Sequence, residues 1–379
     1  LRVEYLSFKD GVLSLDKILR MIRSFTLSIF CCLIPLVLLA QAKYSNEFLQ
    51  IGVGARAQAM GNAVVANIDD VTAGVWNPAG LAARTDFTGI ELGAMHNEWF
   101  AGVGQYDYLG FTMPFADRRR RLGLSLLRFG IDNIPNTLSL YEVDGTVNFD
   151  NLTTFSAADY AFLLSYAQDI SLQKGQLFIG GNVKVIHRRI GPFATSWGFG
   201  LDLGMQYRLG AWQFGLVARD IPSTFNGWSF SFTEAEKEVL EFTNNEVPIN
   251  SVEVTNPSIT LGLSRNFQSG KIGIHPELNI IMTTDGPRNT LVSGSTLSLD
   301  PAFGLELDYQ RFVFLRFGLN QFQEVIGFDN NSRLTMRPSL GLGLHFKGIQ
   351  IDYAFSDSGA SDNLYSHVIS LLIQLKGKE

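Results

Sequence analysis

The chain has two cysteines, Cys31 and Cys32, and both fall inside one apolar run near its start. Beyond that run there is no thiol. This excludes a disulfide scaffold, thiol redox chemistry and a cysteine nucleophile. Charged residues are also scarce, at 17%, where soluble domains carry roughly 25%. The formal net charge is -6, and the basic residues form no long stripe, which argues against a nucleic-acid partner. After residue 42 no apolar run approaches the roughly 18 residues of a helical membrane span. The five histidines (His96, His187, His275, His345, His367) lie far apart and have no ligand spacing, so no metal site is expected. The stretch GVGARAQAMG lacks the G-x-G-x-x-G pattern and a surrounding strand–helix–strand unit, which removes a phosphate loop. Only His187, beside Arg188 and Arg189, tempts a catalytic reading. It falls near a strand end, where basic residues fit anionic lipopolysaccharide better. The chain is therefore expected to be neither an enzyme nor a cofactor protein.

What the sequence does have is two-residue alternation. Trp197, Phe199, Leu201, Leu203, Met205 and Tyr207 interleave with Gly198, Gly200, Asp202, Gly204, Gln206 and Arg208. Successive strand side chains point to opposite faces, so this run is a strand with one large apolar face and one small or polar face. Similar runs recur near 303–310, 340–347 and 349–355. About fourteen such segments can be placed, each near the length a tilted strand needs to cross a bilayer. Two-faced strands suit a soluble sandwich or a membrane barrel, and the connections separate the two. Segments 115–120, 170–175, 209–210, 268–270, 311–312 and 347–348 are short. The alternate connections, above all 133–157, 221–257, 284–301 and 321–335, are mostly long and polar. Short turns alternating with long loops are the pattern of an outer-membrane barrel. The fold predicted is all-β: a transmembrane antiparallel β-barrel of about fourteen strands over 87–379. Asp202, Arg208, Glu306, Asp308, Arg316, His345 and Asp352 then face the lumen, either as a structural ladder of ion pairs or as a permeation path.

Residues 22–42, IRSFTLSIFCCLIPLVLLAQA, combine a basic start at Arg23, an apolar run and Ala40-Gln41-Ala42. This predicts a cleaved export signal over 21–42 with Met21 as its first residue. Residues 1–20 then read as an upstream extension; a cytoplasmic tail before an anchor helix is the alternative. Residues 43–86 lack alternation and are rich in glycine and alanine, as suits a plug packed inside the lumen. Trp76-Asn77-Pro78-Ala79-Gly80 reads as a tight turn.

The segment EFLQIGVGARAQAMGNA followed by WNPAGLA resembles the PorV/PorQ family of Bacteroidetes outer-membrane proteins. The closing stretches IDYAFSDSG and HVISLLIQL resemble that family's last two strands. More distantly, the asparagine-proline-alanine turn resembles the hatch of FadL-type transporters, which are also fourteen-stranded barrels. The resemblance implies an outer-membrane component of the type IX secretion system. Such a protein is translocon-associated or carries secreted cargo to the attachment complex. A FadL-like channel for hydrophobic small molecules is the alternative. By position, Glu47, Gly52, Gly54, Arg56, Gly61, Asp70, Asn77, Pro78 and Gly80 match the family's N-terminal motif and are expected to shape the plug. Arg56, a lone cation among small residues, calls for a carboxylate, with Asp70 the candidate. Two surface features remain. Arg118 to Arg121 form a basic turn that either grips phospholipid headgroups or meets a periplasmic partner. Residues 233–240 read as a short outer helix with Glu234 and Glu238 on one face. With Leu240 they form a candidate surface for a secretion partner or cargo, or a lid over the barrel mouth.

Overall fold

The structure, a computed structural model, describes residues 45–140, 146–326, 332–357 and 365–375. The expected export signal and the extension before it lie outside the described residues. Fourteen antiparallel staves close into a barrel. The first six are β1 (Ile90–Trp99), β2 (Gly104–Pro114), β3 (Arg120–Asn136), β4 (Thr153–Ser171), β5 (Gln176–Ile190) and β6 (Ala194–Leu209). The seventh combines β7 (Trp212–Arg219) and β8 (Thr224–Phe230). The eighth combines β9 (Ser251–Thr255), β10 (Ser258–Arg265) and β11 (Phe267–Ser269). β12 (Ile272–Thr283) is the ninth. A two-residue piece, β13 (Val292–Ser293), flanks the tenth, β14 (Ser298–Tyr309). The last four are β15 (Val313–Ile326), β16 (Ser332–Phe346), β17 (Ile349–Asp357) and β18 (Tyr365–Leu375). β1 pairs with both β2 and β18, and this closes the cylinder.

Burial along the strands is the inverse of a soluble protein. In β6 the large apolar residues Trp197, Phe199, Leu201 and Leu203 are exposed, while Ser196, Asp202 and Gln206 between them are buried. Arg316 is 0% exposed, whereas its neighbours Leu315 and Phe317 face outward. A wall that hides its charges and shows its leucines belongs in hydrocarbon, where closure leaves no unpaired strand edge. Among the described residues no helix is long and apolar enough to cross a membrane; the crossing is made by strands.

Several sequence boundaries change. β3 and β4 run to 17 and 19 residues, beyond the roughly 9–11 that span a bilayer, so they rise past the apolar belt and shorten the loop expected at 133–157. About a third of the long loop expected at 221–257 is strand, because β8 and β9 extend the seventh and eighth staves into it. The six short turns all lie at one rim, here called the short-turn rim. The long connections lie at the other, the long-loop rim, although 100–103 and 191–193 there are short.

Residues 45–89 lie within the cylinder. Short helices at Glu47–Gln50, Ala55–Ala59, Ala73–Trp76 and Pro78–Ala82 are linked by irregular chain, and Val53, Ala59, Met60, Ile68 and Leu81 are almost wholly buried. Irregular buried backbone must find hydrogen-bond partners, and the inward wall supplies them. The Ala66 N–H donates to Glu277 at 2.7 Å, and Asn182 donates to the Gly74 carbonyl at 2.7 Å. Gln206 donates to the Ile68 carbonyl at 2.8 Å. Ser339 donates to the Ala59 carbonyl at 3.1 Å, and Ser370 accepts from the Ala55 N–H at 3.1 Å. Polar residues line the wall because the segment inside needs their donors and acceptors.

Candidate functional site

The wall is interrupted at one level on two adjacent staves. Below the interruption, the last ladder pair between staves seven and eight is Arg219 with Ser258. Above it, the first is Thr224 with Thr255. Residues 220–223 on one side and 256–257 on the other have no ladder partner across the gap. Each stretch contains a proline, Pro222 and Pro257, and proline has no N–H to give a ladder. Asp220 adopts φ 58°, the left-handed region, which turns the chain out of the pleat. The displaced segment is fastened to β6: the Ile221 N–H donates to the Leu201 carbonyl at 2.9 Å and the Asp220 N–H to Asp202 at 3.0 Å.

Charge holds this kink. Lys184 on β5 is 2% exposed and lies 2.7 Å from Asp202 and 2.6 Å from Asp220. Thr224 donates to Asp220 at 2.5 Å. Arg219 turns inward and donates to the Trp76 carbonyl at 3.0 Å, with its guanidinium 5.9 Å from the Trp76 ring centre. Behind the interruption lies a cavity of about 90 Å³ whose apolar side is made by Leu49, Val75, Trp76, Leu163 and Ile281. The start of the N-terminal segment is moored beside it. Ser45 and Asn46 reach Thr255 Oγ1 at 2.7 and 2.8 Å. Glu47 pairs with Arg288 at 2.9 Å; burial pushes the Glu47 carboxyl up in pKa against the pull of that arginine.

The second cavity, about 490 Å³, opens at the short-turn end and is lined mainly by charged residues. Arg56 crosses from the N-terminal segment to the wall here. It grips Glu306 through Nε at 2.9 Å and Nη2 at 3.3 Å. The expected partner, Asp70, forms a longer ion pair with Arg56 at 3.8 Å and also accepts from the Thr72 backbone at 2.8 Å and the Thr72 hydroxyl at 2.5 Å. Arg316 joins the same Glu306 at 2.6 Å and Asp352 at 2.7 Å. Asp69 pairs with Arg84 at 3.0 Å and Arg208 at 3.6 Å. Burial alone would raise its carboxyl; Arg84, Arg208 and Arg56 outweigh burial and hold it below the usual carboxylate range.

The other motif residues act on shape. Gly52, Gly54 and Gly61 have φ of 103°, 87° and 61°, and Gly61 lies against the Leu319 backbone of β15. Asn77 donates to the carbonyls of Val65 at 2.9 Å and Met205 at 3.1 Å, and its side chain accepts from the Ala79 N–H. Pro78 starts the helix that follows, and Gly80 faces the Ile68 carbonyl. Glu234, Glu238 and Leu240 lie on a helix, Glu234–Phe242, at the long-loop rim. It opens with a capping box between Thr233 and Glu236. Glu234 pairs with Lys237 at 2.7 Å, and Leu240 is half-buried. His187 packs on Trp197, and its Nδ1 lies 3.1 Å from the Ser196 carbonyl. Arg188 pairs with Asp159 and Glu253. Among the described residues no three His, Cys, Asp or Glu side chains gather to hold a metal.

Sequence reasoning missed Lys184, Asp220, Arg219 and Glu277. The first three hold the kink, and Glu277 holds the inner segment. Their one sequence signal is a charged residue on the small-residue face of a strand.

No family model matches the chain, and no curated protein sequence matches it. Solved structures do. The Ralstonia pickettii toluene transporter TbuX superposes with a TM-score of 0.52 at 13% identity, covering 86% of this chain and 98% of that one. The Pseudomonas putida toluene transporter TodX gives 0.52 at 14%, covering 85% and 97%. The CymD monoaromatic hydrocarbon channel gives 0.51 at 14%, covering 87% and 99%. The fold is that of FadL-like outer-membrane barrels. At these identities the likeness is one of fold, and the chemistry must come from this chain's own residues.

Proposed function

We propose that this protein is an outer-membrane channel that passes a small apolar solute through the side of its barrel, between the seventh and eighth staves. One observation carries the reading: the interruption in the wall, the part-apolar cavity and the moored start of the N-terminal segment coincide. An apolar solute moving sideways avoids the charged lumen, where each buried ion would have to give up a partner. Residues 45–89 would act as the plug that blocks the axial route. The fold neighbours that transport toluene and monoaromatic hydrocarbons support this class of solute. The test is uptake of a labelled monoaromatic hydrocarbon and of a sugar by a porin-deficient bacterial host expressing the protein. Faster uptake of the aromatic alone is expected, and its loss in Ser258→Trp, which fills the cavity beside the gap. Aromatic uptake no faster than in the host without the protein would sink the reading.

A second reading, a docking or cargo-carrying part of type IX secretion, is supported by the N-terminal motif and by the long-loop rim. There Phe242, Ile249 and Val252 are 78%, 78% and 65% exposed. Deleting the gene and comparing surface proteins tests it. Normal export of cargo bearing type IX signals would remove it.

A further inference from the structure

Five of the six short turns carry at least one exposed cation that no carboxylate answers among the described residues. Arg118 lies in the turn after β2, Lys174 in the turn after β4, and Lys271 in the turn before β12. Arg311 lies in the turn after β14 and Lys347 in the turn after β16. The remaining turn, Gly210-Ala211, has no charge of its own. Arg265 serves it from the neighbouring stave, with its guanidinium 4.8 Å from the Trp212 ring centre and 4.6 Å from that of Phe267. The same stacking recurs around the rim: Lys347 Nζ is 4.9 Å from the Phe346 ring, and Arg120 lies 5.1 Å from Phe115. Trp212, Phe267 and Phe346 are themselves exposed. Aromatic rings at a barrel's edge mark the level where hydrocarbon meets headgroup. A cation resting on such a ring sits at phosphate depth.

One helix at the opposite rim has the other sign. It presents Glu234, Glu238 and Glu241 to solvent, with Lys237 the one base on it.

We propose that the short-turn rim is a binding surface for anionic phospholipid, with one phosphodiester headgroup recruited at each turn. The proposal rests on reading the chain as an outer-membrane barrel, whose short turns face the periplasmic, phospholipid leaflet. The circular distribution favours lipid over a protein partner. A globular protein would touch one arc of the rim, whereas an annulus of lipid touches every turn. Unpaired, water-exposed Lys and Arg at this level attract anionic headgroups additively, and salt screens them.

The experiment uses the full chain, purified in mild detergent and exchanged into nanodiscs of phosphatidylcholine with one fifth phosphatidylglycerol. Lipid retained on the released protein is then read by native mass spectrometry. Enrichment of phosphatidylglycerol over phosphatidylcholine by at least about tenfold is expected, falling as salt is raised to 1 M. Inorganic phosphate at the same concentration should displace none of it. Lys174→Gln/Lys271→Gln/Lys347→Gln should remove about half of the preference, while Glu234→Gln/Glu238→Gln on the far rim leaves it intact. Retention without headgroup preference, a preference indifferent to salt, displacement by free phosphate, or an unchanged preference in the triple variant would each overturn the proposal. The salt titration of the unaltered protein decides the matter if the triple variant does not fold. A chain that never enters the nanodisc would overturn the barrel reading itself, a separable failure.

Discussion

Replacing Arg56 by methionine cuts one of the ion pairs that join the inner segment to the wall, and the structure fixes how much that should cost. Arg56 is a bidentate partner of Glu306, but Glu306 keeps Arg316 at 2.6 Å, and Asp70, 3.8 Å from Arg56, keeps its two hydrogen bonds from Thr72. The loss is then that of one charge-assisted contact, about 1.5–3 kcal/mol. Arg316→Met is different. Arg316 is 0% exposed and serves both Glu306 and Asp352. Removing it leaves Asp352 with the Gln350 amide alone at 2.8 Å, and the cost rises to about 3–5 kcal/mol. The double variant strips Glu306 of both cations. It should be worse than the two losses added, by roughly 1–3 kcal/mol. Urea unfolding in lipid vesicles, followed by the gel shift between folded and unfolded barrel, gives all three values. In Arg56→Met alone, protease should reach residues 45–89 while the folded band persists. A double variant whose loss equals the sum of the singles within about 0.5 kcal/mol would refute the reasoning, because residues that share no partner simply add.

Lys184→Met leaves Asp202 and Asp220 facing each other without their common cation, and should destabilise the barrel by about 3–5 kcal/mol in the same titration. Gly318→Val places side-chain atoms where the Gly61 backbone now lies. The folded band should survive while residues 45–89 become open to protease. Asp69, held below its ordinary value of 3.8 by Arg84, Arg208 and Arg56 despite burial, contributes stability above pH 4 that is lost as pH falls through its lower folded value. Protection of residues 45–89 against hydrogen exchange, corrected for the intrinsic pH dependence of exchange, should therefore fall as the pH drops below about 4.

Much of the wall could be read in the chain because a strand's period is short-range. Trp197 to Tyr207 announce their own inside and outside, and turn lengths order the staves. The helix at the long-loop rim was legible for the same reason, since Glu234 and Glu238 lie four residues apart on one face. The reading failed where pattern gave way to tertiary contact. Staves seven and eight break at Pro222 and Pro257, which erases the alternation, so 221–257 reads as a loop although about a third of it is wall. The Arg56 pairing was legible only in part: Asp70, near in sequence, is an ion-pair partner at 3.8 Å, but Glu306, 250 residues away, is nearer in space. Lys184 and Asp220 were invisible as a pair because neither stave reveals what stands beside it.

The seam between β1 and β18 joins the earliest stave to the last one, from Ile90 with Leu375 to Glu98 with His367. During assembly the cylinder must therefore stay ajar until the final residues arrive, with two raw edges exposed. The core-forming segment precedes everything else, so it has to be enclosed during that interval, before the seam shuts. Cutting only a few residues from the C-terminal stave should accordingly abort the entire particle, leaving no shorter, leaky one.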